Sequence, residues 1–162
     1  MTILPPLPAA PSGLFTSSDG AARHLFPVRI YFEDTDLSGV VYHANYLRYM
    51  ERARSDMLRL AGIDQRAANE GGEGAWAVTD LSIKYRAPAR LDDELLVSSV
   101  VDAVRGASVI ISQAISCGDR LLTEGCVTAA FVSPEGRARR QPADWADRFR
   151  AIMHGQFIFT DQ

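Results

Sequence analysis

The feature that most constrains this chain is a change of hydrophobic period that occurs once in each direction. From about Ala44 to Ala61, apolar residues recur at Tyr46, Met50, Ala53, Met57 and Leu60, spacings of 4, 3, 4 and 3. That places one apolar stripe on a helix of about five turns, and Gly62 supplies a C-terminal stop. On both sides of this segment the period is two. Val28, Ile30 and Phe32 alternate with Arg29, Tyr31 and Glu33, which predicts a half-buried strand. After a glycine-rich loop over 62–75 with room for a short helical turn, four alternating segments follow at roughly 76–87, 93–104, 107–117 and 121–132. Turn signals separate them at Pro88 to Asp93, Arg105-Gly106 and Gly118-Asp119. Short connections between consecutive strands predict an antiparallel meander. A sheet with one apolar face needs a cover, and the one long helix must supply it. The chain therefore reads as an α+β domain, an antiparallel five-stranded sheet wrapped around one long central helix. A short amphipathic helix near Ala143–His154 closes it.

Composition sets the limits of that domain. Residues 1–24 are rich in Pro, Ala, Ser and Gly and read as a flexible N-terminal extension. The domain proper runs over 25–155, and 156–162 form a C-terminal tail. The start of the chain lacks a basic segment and prolines interrupt its apolar run, so it does not read as a signal peptide. No apolar run reaches the length of a membrane span. A chain of 162 residues can bury one core without disulfide or metal staples. A net charge of −3 argues against broad nucleic-acid binding, yet leaves room for a small cationic pocket. The two cysteines, Cys117 and Cys126, lack CxxC spacing, and no metal site is expected. On a hairpin turning at Gly118-Asp119, Cys126 faces residue 111 or 112, too far from Cys117 to bridge. Two free thiols suit a cytoplasmic location.

Residues 31–54 read YFEDTDLSGVVYHANYLRYMERAR. This run resembles the signature of the 4-hydroxybenzoyl-CoA thioesterase superfamily, and within it the branch associated with the Tol-Pal system. The branch pattern is met by Glu33, Asp34, Thr35, Asp36, Gly39, Val40, Val41, Tyr42, His43 and Tyr46, then by Glu51, Arg52, Ala53 and Arg54. A second block, Tyr85-Arg86-Ala87-Pro88-Ala89-Arg90-Leu91-Asp92-Asp93, is similar to the same branch, and the likeness spans about 27–133. Ser38 and Asn45 depart from the usual residues. Leu37 stands where the 4-hydroxybenzoyl enzymes carry Pro, which turns the reading away from an aromatic acyl group. The resemblance implies a hot-dog fold and an acyl-CoA thioesterase, with acyl-ACP as an alternative substrate. It implies no metal or redox cofactor, CoA entering only as part of the substrate. It also implies a homodimer, often paired into a homotetramer, with the acyl channel between protomers. The backbone N–H of His43 is then the oxyanion donor.

The residues support a chemistry of their own. Hydrolysis of a thioester needs a carboxylate that attacks or activates water, and donors aimed at the carbonyl oxygen. Asp36 lies just before a Gly turn that leads into the long helix, whose unpaired N–H groups favour negative charge. Gly39 lets backbone approach a ligand closely. Asp36 is thus the catalytic candidate, as nucleophile or general base; a helix-capping role is the alternative. Asp34 reads as support for the turn. The His43 ring is a second general-base candidate, since histidine titrates near neutrality. Tyr42 reads as pocket wall and Tyr46 as core. Glu51, two turns into the helix, is the reserve catalytic acid, although an ion pair with Arg54 or Arg48 suits its spacing better. CoA phosphates call for cations; Arg86 and Arg90 are the first choices, ahead of Lys84, Arg137, Arg139 and Arg140. Two other readings compete. A non-catalytic module binding acyl-CoA or acyl-ACP would not need Asp36. A hydratase would need a different His-plus-acid arrangement, which is not found.

Overall fold

The computed structural model describes residues 10–18 and 20–156. Its strands are β1 (Leu14–Ser18), β2 (Ala21–Arg29), β3 (Ala75–Tyr85), β4 (Glu94–Val104), β5 (Ser108–Cys117) and β6 (Arg120–Val132). Its helices are α1 (His43–Leu60), α2 (Gln65–Glu70) and α3 (Ala143–Met153). The strands form one antiparallel sheet in the order β1-β2-β4-β5-β6-β3. This is an α+β hot-dog architecture, with the long helix α1 packed on the sheet.

The helix begins one residue earlier than its period predicts. Tyr46, Met50, Ala53 and Met57 are buried as expected, whereas Leu60 is 37% exposed. Tyr49 and Leu58 join the buried face. Gly62, at φ +72, ends the helix as anticipated, and Asp64 caps α2 by accepting the Ala67 N–H at 2.9 Å. Two apolar clusters result. Near the start of α1, Tyr46, Met50 and Ala53 meet Ile30, Val97 and Leu122. Toward its end, Met57 and Leu58 meet Phe131, Trp145 and Phe149, so α3 closes that side.

Three expectations need correction. The sheet has six strands, not five. The extra strand β1 and the first part of β2 come from the segment expected to be a flexible extension over 1–24. Residues 14–18 and 21–24 are in the sheet, with Leu14 opposite Leu25 and the Phe15 side chain buried. Residues 1–9, and 157–162 of the expected tail, lie outside the described residues. Second, the alternation at 28–33 does not persist. β2 stops at Arg29, and Phe32 is 81% exposed in a single 3-10 turn. The Asp34 carboxylate causes this by accepting the Tyr31 N–H at 2.8 Å, which turns the chain out of the sheet.

Third, the four C-terminal strands are not a simple meander. β4, β5 and β6 follow one another, but β3 pairs with β6 and β2 takes the place beside β4. The connection 86–93 must therefore cross the end of the sheet. It does so against the start of α1: Val41 N–H donates to the Ala89 carbonyl, and Ala89 N–H to the Tyr46 hydroxyl, both at 2.9 Å. That crossing gives the site its wall. Cys126 lies opposite Ser112, and Cys117 opposite Arg120; both thiols are free.

Candidate active site

The Asp36 loop is a miniature hairpin. Thr35 and Val41 bridge antiparallel, Asp36 N–H donates to the Val40 carbonyl at 2.9 Å, and Tyr42 N–H to the Asp34 carbonyl at 2.9 Å. The tip is a turn in which Gly39 N–H donates to the Asp36 carbonyl at 3.0 Å. Gly39 sits at φ +77, a left-handed conformation that a side chain would strain. Asp34 supports the base of the hairpin, its carbonyl also accepting the Asn45 amide at 2.9 Å.

The Asp36 carboxylate is exposed and accepts from the backbone N–H of Ser38 at 2.8 Å and from the Ser38 hydroxyl. The Ser38 hydroxyl first, then its N–H and more weakly the nearby His43, hold the carboxyl below the usual aspartate range. These contacts favour the ionised form.

The hairpin delivers the chain directly into α1. The helix starts at His43 with no side-chain cap and no acidic residue in its first turn. Among the described residues the N–H groups of His43 and Ala44 find no acceptor. Uncapped amides at a positive dipole end favour an anion. A cleft of about 310 Å3 opens there, lined by Val41, His43, Tyr46, Tyr85 and the Arg86–Pro88 segment. Tyr46 is core, as expected, 2% exposed. Tyr42 packs against His43 with the rings tilted at 57° and their centroids 4.6 Å apart, and it is half exposed.

The cations divide. Arg86 lines the cleft, with its guanidinium paired to Glu124. Arg90 is exposed, outside the cleft lining, and its backbone N–H donates to the Asp93 carboxylate at 2.8 Å. Arg139 reaches the carbonyl of Glu73 at 2.6 Å, beside the start of β3 rather than its Tyr85 end. That removes it from the nucleotide candidates. Glu51 pairs with Arg54, the bland reading of its spacing.

Tyr85 belongs to the site although sequence reasoning gave it no role. Its hydroxyl donates to the His43 carbonyl at 2.9 Å and its ring stands edge-on to His43. Only the packing of β3 beside α1 reveals it; no spacing along the chain does. A single hydrogen bond of this kind contributes about 1 kcal/mol. Tyr85→Phe is expected to lower turnover about fivefold with KM and melting temperature little changed, measured by steady-state kinetics and thermal unfolding.

The thioesterase superfamily pattern matches residues 38–124, more than half of the chain. The chain belongs to the thioesterase superfamily. It is 37% identical over 129 residues to the acyl-CoA thioesterase YbgC of Haemophilus influenzae, covering 80% of this chain and 93% of that protein. It is 42% identical over 110 residues to the acyl-CoA thioester hydrolase YbgC of Escherichia coli, covering 67% of this chain and 81% of that one. Among solved structures, a probable thioesterase from Bartonella henselae superposes with a TM-score of 0.71 at 36% identity, covering 74% of this chain and 99% of that one. The family pattern takes in Gly39, His43 and the Arg86–Pro88 wall; Asp36 lies just ahead of it. Among the described residues, no helix is long and apolar enough to cross a membrane.

Proposed function

We propose that this member of the thioesterase superfamily hydrolyses acyl-CoA thioesters, with Asp36 as the reacting carboxylate and the start of α1 as the oxyanion site. One observation carries the reading. The uncapped helix with unpaired His43 and Ala44 N–H groups is joined, within one short hairpin, to an ionised aspartate.

In the reaction, the Asp36 carboxylate attacks the thioester carbonyl or takes a proton from an attacking water. Charge moves onto the carbonyl oxygen, where the amides stabilise it. The C–S bond breaks, CoA leaves as a thiol once protonated, and water supplies the oxygen of the free acid. His43, exposed beside the cleft, is suited to pass that proton. Arg86 and Arg90 are the proposed phosphate contacts, Arg86 by exchanging Glu124 for phosphate. The names of the relatives support CoA as the carrier; acyl-ACP remains the alternative.

The free outer edge of β3, with Val78, Leu81 and Tyr85 exposed, suits pairing with a second copy. A homodimer, or a homotetramer built from it, is therefore part of the proposal. So is a cytoplasmic setting, where Cys117 and Cys126 stay reduced.

A non-catalytic acyl-CoA or acyl-ACP binding module draws on one observation: the Asp36 carboxylate turns onto Ser38 and is absent from the cleft lining. Thiol release from a panel of saturated acyl-CoAs decides between them. Turnover is expected with at least one chain length. A protein that binds these compounds and releases no thiol is a module, not a hydrolase.

A further inference from the structure

Asn45 is one of two departures from the pattern in the 31–54 run, and it has no part in the reaction proposed above. It is the third residue of α1, yet it is only 7% exposed. A buried carboxamide needs partners, and both of its ends have one. Its Nδ2 donates to the Asp34 carbonyl at 2.9 Å, and its Oδ1 accepts from the Arg48 guanidinium at 3.4 Å. The two contacts fix the direction of the amide. Turned over, it would set donor against donor and acceptor against acceptor.

Asp34 is where the hairpin closes. Its carbonyl oxygen also accepts the Tyr42 N–H at 2.9 Å, so both of its lone pairs are taken. The Tyr42 bond joins the two arms of the hairpin, and the Asn45 bond ties that closed base to the first turn of α1. Asp36 stands two residues beyond one arm's end and His43 one residue beyond the other's. The same amide spares the helix start. A side-chain acceptor at the start of a helix caps its free N–H groups. Asn45 offers them none, because its oxygen is turned to Arg48. Its own N–H goes to the Tyr42 carbonyl at 2.9 Å. The helix start is therefore anchored through a donor, while the His43 and Ala44 N–H groups stay open.

We infer that Asn45 is a positioning residue for the hydrolysis: its carboxamide holds the Asp36 hairpin at a fixed place beside the open amides of α1. The inference rests on the thioesterase reading given above. In that reading the reacting carboxylate and the oxyanion donors lie on two pieces of backbone, and one carbonyl group must meet both. A misplacement of about 1 Å between such groups lowers the rate by up to about 100-fold. Arg48 acts one step further out, by keeping the Asn45 oxygen away from the amides.

The test is Asn45→Asp, which keeps the shape and loses the donor. A carboxylate in the first turn favours the helix and pairs with Arg48 at helical spacing. If Asn45 only helped to start the helix, this change would keep or raise the melting temperature and leave kcat alone. For a positioning residue the melting temperature holds while kcat falls at least about tenfold, measured on the saturated acyl-CoA that the wild type turns over fastest. KM is expected to stay within about twofold, since the lost contact orients the reacting groups rather than binding the substrate. A second readout needs no turnover. The N–H groups of Asp36 and Tyr42, which close the hairpin on Val40 and Asp34, are expected to exchange at least about tenfold faster in the variant, with the middle of α1 unchanged. Asn45→Ser keeps a donor on a shorter stem and is expected to fall between the two proteins in both readouts; it carries the test if Asn45→Asp does not fold. Folded variants with wild-type kcat, or with wild-type exchange at Asp36 and Tyr42, overturn the inference. Absence of thiol release from the wild type, with faster exchange in the variants, overturns the hydrolase reading alone and leaves Asn45 as the clamp of the hairpin.

Discussion

Replacement of Asp36 by Asn is expected to lower thiol release at least about 100-fold, the low end for loss of a general acid or base. Melting temperature and elution volume should match the wild type. The side chain is exposed, outside both apolar clusters. Its structural contact is the acceptance of the Ser38 N–H, and an amide oxygen accepts that bond as well as a carboxylate oxygen does. What Asn cannot do is attack as an anion or take a proton from water. The Ser38 contacts keep the carboxyl below its ordinary value of 3.8, so the base form persists to lower pH. The acid limb of turnover should accordingly lie below the usual aspartate range, and Ser38→Ala should move it up. Equal rates in wild type and a folded Asp36→Asn protein would remove Asp36 from the chemistry. Glu51 would be the next residue to change, after release from Arg54.

The helix was legible because its stripe is long and strict, and the geometry of the candidate site was legible because it lies within one stretch, 34–46, where local turn chemistry decides it. The order of strands was not. The connection from Tyr85 to Glu94 is short enough for adjacent strands, and nothing in its composition says that it crosses the sheet end. What holds it there is Tyr46, a residue whose spacing marked it only as core. β1 was missed because Pro, Ser and Gly dominate the beginning of the chain, while one buried phenylalanine and a hydrogen bond to a distant aspartate fix it. The cations were the least legible. Whether an arginine faces a cleft depends on which carboxylate claims it, and Glu124 reaches Arg86 only through the pairing of β3 with β6.

That distant aspartate, Asp56, carries the largest stability effect expected outside the apolar core. It lies on the buried side of α1 at 2% exposure. Its carboxylate accepts from His24 Nε2 at 2.8 Å, the Gly13 N–H at 2.9 Å and Arg59 at 3.2 Å. Asp56→Ala leaves a buried imidazole and a backbone donor without their acceptor, which costs about 1–3 kcal/mol for each group and about 10 °C in melting temperature for a domain of this size. Hydrogen exchange should show protection lost first in β1, because the Gly13 contact is what ties that strand to the helix. Acid should act on the same place. Burial lowers the pKa of His24 from 6.5, and Asp56 only partly opposes the shift. The unfolded chain therefore takes up a proton that the fold resists, so this contribution to stability is full above the ordinary histidine value of 6.5 and is lost as pH falls below it. Without Asp56 that opposition disappears, and the acid loss should be steeper in Asp56→Ala than in the wild type. Turnover measured well below the melting temperature should survive, since Asp56 stands about 20 Å along α1 from His43. A variant that melts with the wild type, at any pH, would mean that the ladder with β2 and the packing of Phe15 hold the strand without Asp56.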